Sequence, residues 1–343
     1  MTSAKNFKSI KSHLPGFLIS VVIGVFAYVL GSKFKLIGSP VIAIVSGVVV
    51  AILINPSRKV SEGFAFTSKV LLKLSVVLLG FELSFGEVLK TSIKTLPIML
   101  GTLLATLIGG IVVGKLLKVP KDEATLIGVG TAICGASAIA ATDSVIEADR
   151  KSVAYSVSTI FLFNVIAVLT FPLFGHMMRF SQQQFGTWAG TSINDLSSVV
   201  AAAQIYGKAS LSQAVVVKLT RTLAIVPIAI VLGILKNRGQ DGMLKTYDQV
   251  DRFINKKTVL RIFPGFILWF LLAVLANSLG VIPVEVRKMA SSGAIITITI
   301  ALGAIGLSTK IRDIVSTGYK PLLLGLILWV IALTSSLFFQ FVV

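Results

Sequence analysis

The chain of 343 residues is 55% hydrophobic and only 13% charged, about half the charged share of a typical soluble domain, which excludes most water-soluble architectures. Its formal net charge of +18 suggests nucleic acid, but the basic residues sit mainly between apolar runs. No basic-aromatic stretch resembles a nucleic-acid surface, so no nucleic-acid partner is expected.

Apolar runs of about 18 or more residues recur along the whole chain and predict an all-α membrane protein. About eleven transmembrane spans are expected, at approximately 14–30, 38–55, 66–82, 95–117, 123–143, 153–177, 184–204, 210–235, 260–279, 288–307 and 319–341. The basic start "MTSAKNFKSIKSHLPG" leads into the first of these, so a cleaved signal peptide is not expected. With the N-terminus in the cytoplasm, the inside loops carry more than twice as many Lys and Arg as the outside loops. That bias favours an N-inside, C-outside protein of the cell inner or plasma membrane. The hydrophilic stretch Lys236 to Lys257 reads as part of a cytoplasmic linker, 236–259. It separates the first eight spans, 1–235, from the last three, 260–343, of a single transport domain.

Two internal similarities stand out. "LSFGEVLKTSIKTLPIMLG" from Leu83 resembles "LSTKIRDIVSTGYKPLLLG" from Leu307, and the two enter the membrane from opposite sides, as an inverted repeat requires. "GTAICGASAIAAT" from Gly130 resembles "GTSINDLSSVVAAA" from Gly190. By simple alternation those spans run in the same direction, which excludes an inverted relation for this pair.

The fifth span concentrates Gly128, Gly130, Thr131, Gly135, Ser137 and Thr142. Small residues permit close helix packing. Several glycines together also make unwinding cheap, and unwound backbone at membrane depth must face a cavity or protein. A broken helix lining a substrate path is the favoured expectation. The seventh span carries Thr191, Ser192, Asn194, Asp195, Ser197 and Ser198. Asp195 reads as an intramembrane site residue or as an N-cap for "LSSVVAAA", and both hold if a half-helix starts within the membrane. In the eighth span Lys218 and Arg221 are one turn apart, with Thr220 between them. They lie about 12–17 Å deep and need partners, and Asp195 is a candidate to pair with one of them. The alternative is an ion pair that only staples spans seven and eight. Lys73 and Asn164 are weaker candidates for the same lining.

No catalytic triad, catalytic carboxylate pair or phosphate-binding loop is present, so no enzyme is expected. Cys134 is the only cysteine, and His13 and His176 are far apart, so neither a metal nor another cofactor is expected.

Three stretches, "GTAICGASAIAAT", "GTSINDLSSVVAAA" and "VVVKLTRTLAIVP", carry a resemblance to the sulfate-exporter family of the YeiH type, over nearly the whole chain. The resemblance implies inverted repeats with interrupted, crossing helices, as in cation/proton antiporters and anion symporters. It implies site residues at Gly130, Thr131, Cys134, Gly135, Ser137, Asp195, Lys218, Thr220 and Arg221, and a homodimer is an expectation from related folds. One departure is Asn194, where many members carry histidine, and it weakens any proton relay there.

The expected function is secondary transport of a small inorganic or organosulfur anion, plausibly sulfate export. Lys218 and Arg221 would neutralise the anion, and Thr131, Ser137, Ser192 and Ser197 would replace its hydration. Alternatives are a Na⁺- or H⁺-coupled organic-anion carrier, a passive channel, and a non-transporting membrane component.

Overall fold

The computed structural model describes residues 2–33, 38–54, 56–237, 264–308 and 318–343. The 236–259 linker therefore lies almost entirely outside the described residues, as does much of the Leu307 similarity. Every predicted span falls on a helix or a helix pair. The helices are α1 (Thr2–Lys33), α2 (Gly38–Ile54), α3 (Arg58–Gly80), α4 (Phe85–Leu116), α5 (Lys121–Ala132), α6 (Ala136–Ile146) and α7 (Arg150–Met177). After these come α8 (Gln182–Ser192), α9 (Leu196–Tyr206), α10 (Lys208–Thr222), α11 (Ile225–Asn237), α12 (Phe266–Ser278), α13 (Val284–Ser308) and α14 (Tyr319–Val342). Among the described residues, seven helices are long and apolar enough to cross a membrane, counting α10 and α11 as one. The all-α membrane architecture stands.

The chain divides into two compact units. One comprises Met1–Glu87 and Phe266–Ile311, and within it α3 and α2 pack on α13 while α1 packs on α2, α3 and α13. The other comprises Val88–Gly265 and Arg312–Val343, and it holds all the polar segments singled out above.

In that second unit, the fifth and seventh segments are interrupted as expected but do not cross from end to end as spans. Each folds back on itself as a helical hairpin. Segment seven makes this plain, because the start of α8 and the end of α9 are neighbours. Tyr206 donates its hydroxyl to Phe180 O at 2.5 Å and stacks on Phe185 with ring centroids 3.9 Å apart. Gln182 Oε1 accepts the Ala209 and Ser210 N–H groups at 2.9 and 3.3 Å. A straight segment of this length would hold those ends more than about 30 Å apart. Segment five closes likewise. Leu126, Ile139, Ile146 and Ile160 form one buried cluster, and a Cβ on Gly130 would lie 3.0 Å from the Ile139 side chain.

The long helix α7 fixes the relation of the two hairpins. The base of α5–α6 meets its first turns, where Ser156 Oγ donates to Glu123 O at 3.4 Å. The base of α8–α9 meets its last turn, where His176 stacks on Tyr206 at 4.4 Å. Both tips reach the middle of α7, near Ile160 and Asn164. The hairpins therefore enter from opposite ends. The two Gly-Thr motifs are inverted relative to one another, and the same-direction reading is corrected. Alternation failed because it assumed that each apolar segment crosses fully.

Local chemistry explains the hairpin boundaries. Asp149 caps α7 by accepting the Lys151 and Ser152 N–H groups, and its hydrogen bonds to Ser152 hold its carboxyl below the ordinary aspartate range. Ser181 and Gln184 form a reciprocal capping box at the start of α8. Between α10 and α11 the ladder tightens to i→i−3 bonds, Leu223 N–H to Thr220 O and Ala224 N–H to Arg221 O, and Pro227 in the first turn of α11 offers no N–H.

Candidate functional site

The two hairpin tips have equivalent sequences and equivalent geometry. Gly130-Thr-Ala-Ile-Cys-Gly135 ends α5 at Ala132 and restarts the helix at Ala136. Gly190-Thr-Ser-Ile-Asn-Asp195 ends α8 at Ser192 and restarts at Leu196. Gly135 has φ +67° and ψ −132°, a conformation that suits glycine alone. A Cβ there would lie 3.1 Å from Asp195 Cβ, so the tips touch at this point. Gly128 instead serves packing, since a Cβ on Gly110 of α4 would meet its Cα at 3.2 Å. Close packing and helix interruption are thus both present in the fifth segment.

Lys218 reaches between the tips. Its ammonium is fully buried and donates to Ile133 O at 2.8 Å and to Ile193 O at 2.7 Å. These carbonyls occupy equivalent positions in the two motifs and belong to the C-cap residues of α5 and α8. Arg221, one turn on, donates Nε to Ala132 O at 2.5 Å. Its Nη1 and Nη2 are buried without a hydrogen-bond partner among the described residues, and the residue is 2% exposed. Asn194 is equally buried, and both of its side-chain polar atoms lack partners among the described residues, while its N–H donates to Asn164 Oδ1 at 3.2 Å.

The expected ion pair between Asp195 and one of these cations does not form among the described residues. Asp195 is the N-cap of α9, with Oδ1 accepting the Ser198 N–H at 3.2 Å. The cap reading and the intramembrane half-helix reading both hold. The C-terminal carbonyls supply the partial negative charge that was expected from a carboxylate. Sequence pattern had no signal for this, since every residue contributes a carbonyl and only folding decides which ones converge.

The hydroxyls sort into separate roles. Thr131 Oγ1 donates to Ile127 O within its own helix. Ser192 Oγ donates to Ala332 O at 3.3 Å, and Thr191 Oγ1 pairs with Ser336 Oγ at 2.5 Å, which ties the second tip to α14. Thr220 does not join the tips. It donates to Val216 O and pairs with Ser92 Oγ of α4 at 2.9 Å. Ser137 is exposed on the first turn of α6, and Ser197 is half-buried on that of α9. Cys134 is buried and free. Lys73 is exposed on α3, outside this cluster. Asn164, which the sequence ranked low, holds the second tip.

Aromatic rings pack around the second hairpin. Phe171 stacks on Trp188 at 4.3 Å, and Phe180 and Phe185 meet the same indole edge-on. The whole run Phe185–Ser192 is buried. In α6, by contrast, Ala136, Ser137, Ala140 and Ser144 are exposed. The α6 N-terminus, at Gly135, has no side-chain cap, whereas α9 has Asp195. An uncapped helix start on the tip that Arg221 contacts is a place where negative charge is stabilised.

The chain is similar over residues 15–325 to the family described as Conserved hypothetical protein 698. It is 40% identical over 338 residues to a UPF0324 membrane protein of Streptococcus agalactiae serotype V, covering 96% of this chain and 97% of that one. A UPF0324 membrane protein of Streptococcus mutans serotype c is 39% identical over 335 residues, at 95% and 96% coverage. One of Fusobacterium nucleatum is 37% identical over 336 residues, at 92% and 94% coverage.

Proposed function

The chain belongs to the UPF0324 family of membrane proteins, and from that premise we propose that it is a secondary transporter of a small anion. The observation that carries the reading is Arg221, a buried guanidinium at the meeting point of two opposed hairpins, with both Nη groups unpartnered among the described residues. A buried charge left uncompensated is expensive, and donors in a fixed fork match two oxygens of a carboxylate, sulfonate or sulfate. The uncapped α6 start and the exposed Ser137 lie on the same tip. Opposed hairpins with unwound tips inside a protein core provide the two-sided access that a carrier needs.

The substrate class favoured by this site is an oxyanion, with sulfate and organosulfonates as the first candidates. The hairpin topology also supports an N-inside orientation. It exchanges the sides of only two loops, which moves Arg150 and Lys151 inside and Arg179 outside, and so strengthens the positive-inside bias.

The test is a thermal-shift panel on purified protein with sulfate, sulfite, alkyl sulfonates and carboxylates, followed by flux of the best binder in proteoliposomes. A saturable rise in melting temperature with one oxyanion class, and flux of that anion, are expected. No shift with any member of the panel would overturn the anion reading.

Asp195 has its own test. Asp195→Asn keeps a good cap, whereas Asp195→Ala is expected to lower stability by about 1 kcal/mol, read by thermal denaturation in detergent. If Asp195 carries a coupling proton, Asp195→Asn loses the pH dependence of uptake while keeping its fold. A role confined to capping leaves that profile unchanged.

A further inference from the structure

Arg221 accounts for an anion, but Lys218 asks for a separate explanation. Its ammonium has three donors, and two are committed to Ile133 O and Ile193 O. No carboxylate takes part among the described residues. Both carbonyls end half-helices, where the backbone carries partial negative charge. They are the same atom of two inverted motifs, so the hairpins present one convergent pair of oxygens to a single positive charge. Unwound carbonyls and half-helix C-termini at membrane depth are the ligands with which carriers hold a coupling cation.

We infer that Lys218 is a tethered cation. Its ammonium fills the cradle between Ile133 O and Ile193 O that a free alkali ion would otherwise occupy, so the protein needs neither Na⁺ nor K⁺ to bring its hairpin tips together. Without a positive charge there, two helix C-termini would face each other with like partial charges. The consequence for transport, that anion movement is independent of Na⁺, rests on the anion-carrier reading, whereas the cradle itself does not.

Lys218→Ala leaves two buried carbonyl oxygens without a donor and vacates the volume of a butylamine chain. A small free cation can then enter. Lys218→Met fills the volume with an apolar chain and leaves no room for one.

The experiment measures melting temperature for the wild type, Lys218→Ala and Lys218→Met at constant ionic strength. The salts are the chlorides of choline, Na⁺, K⁺, Li⁺, ethylammonium and butylammonium, with no other anion present. The wild type is expected to melt at the same temperature in Na⁺ and choline. Lys218→Ala is expected to melt several degrees lower in choline and to recover saturably with at least one small cation. Lys218→Met is expected to gain nothing from any of them. A Lys218→Ala protein indifferent to every small cation overturns the inference, and so does a wild type that Na⁺ stabilises saturably. Should Lys218→Ala not fold, the wild-type comparison alone still decides. Because no substrate anion enters these measurements, failure here is distinct from failure of the anion panel.

Discussion

Arg221→Ala is expected to lower oxyanion affinity on the order of a hundredfold, about 3 kcal/mol, the scale for removing one partner of a buried charged interaction. The ligand-free protein should behave differently. Arg221 donates Nε to Ala132 O, and its two Nη groups find no hydrogen-bond partner among the described residues. Removing it relieves a buried charge while orphaning a single carbonyl, so ligand-free stability should change little or even rise. The two readouts separate a ligand-holding arginine from a structural one. A structural staple lowers melting temperature in the absence of anion, whereas a ligand group abolishes the anion-induced shift and leaves the baseline near its original value. Arg221→Lys keeps the charge but loses the planar fork and should fall between wild type and alanine. A melting temperature that collapses without anion, together with an unchanged anion shift in whatever protein survives, would refute the assignment.

Gly135→Ala is expected to damage the first hairpin tip through a single added methyl. The residue sits at φ +67°, ψ −132°, where a side chain costs about 1–3 kcal/mol in backbone strain alone. The added Cβ would also come within 3.1 Å of Asp195 Cβ, at the contact between the tips. Backbone strain and tip contact act on the same atoms, so relief of one worsens the other. Thermal denaturation in detergent should register a loss of about 2–4 kcal/mol, and anion binding should weaken with it because the α6 start moves. Gly128→Ala provides the contrast, since its nearest neighbour is Gly110 Cα at 3.6 Å and its backbone is ordinary helix. A Gly135→Ala protein as stable as Gly128→Ala would show that the first tip is not held as described.

Much of this was legible from the chain alone. The run Gly128–Thr142 announced an interrupted helix because glycine weakens a helix wherever it falls. "TSIND" announced a second interruption because polar groups in an apolar segment need an unwound or capped backbone. Lys218 and Arg221 were identifiable because two cations one turn apart within a span cannot be left to lipid. Less visible was the role of Asn164, since an isolated amide on a long apolar helix reads equally as a helix bridge.

Composition and periodicity fixed what lies in the membrane and which side chains are too polar to face lipid, because both follow from transfer free energies that each residue carries by itself. Whether a broken segment continues onward or turns back was decided only in the tertiary structure. That choice depends on Tyr206 reaching Phe180 and on Leu126 and Ile146 sharing one cluster, contacts between residues about 20 or more positions apart. The partner of Lys218 was likewise settled there. Ile133 O and Ile193 O are ordinary backbone atoms, and they become a cation cradle only when two inverted hairpins bring them to the same point.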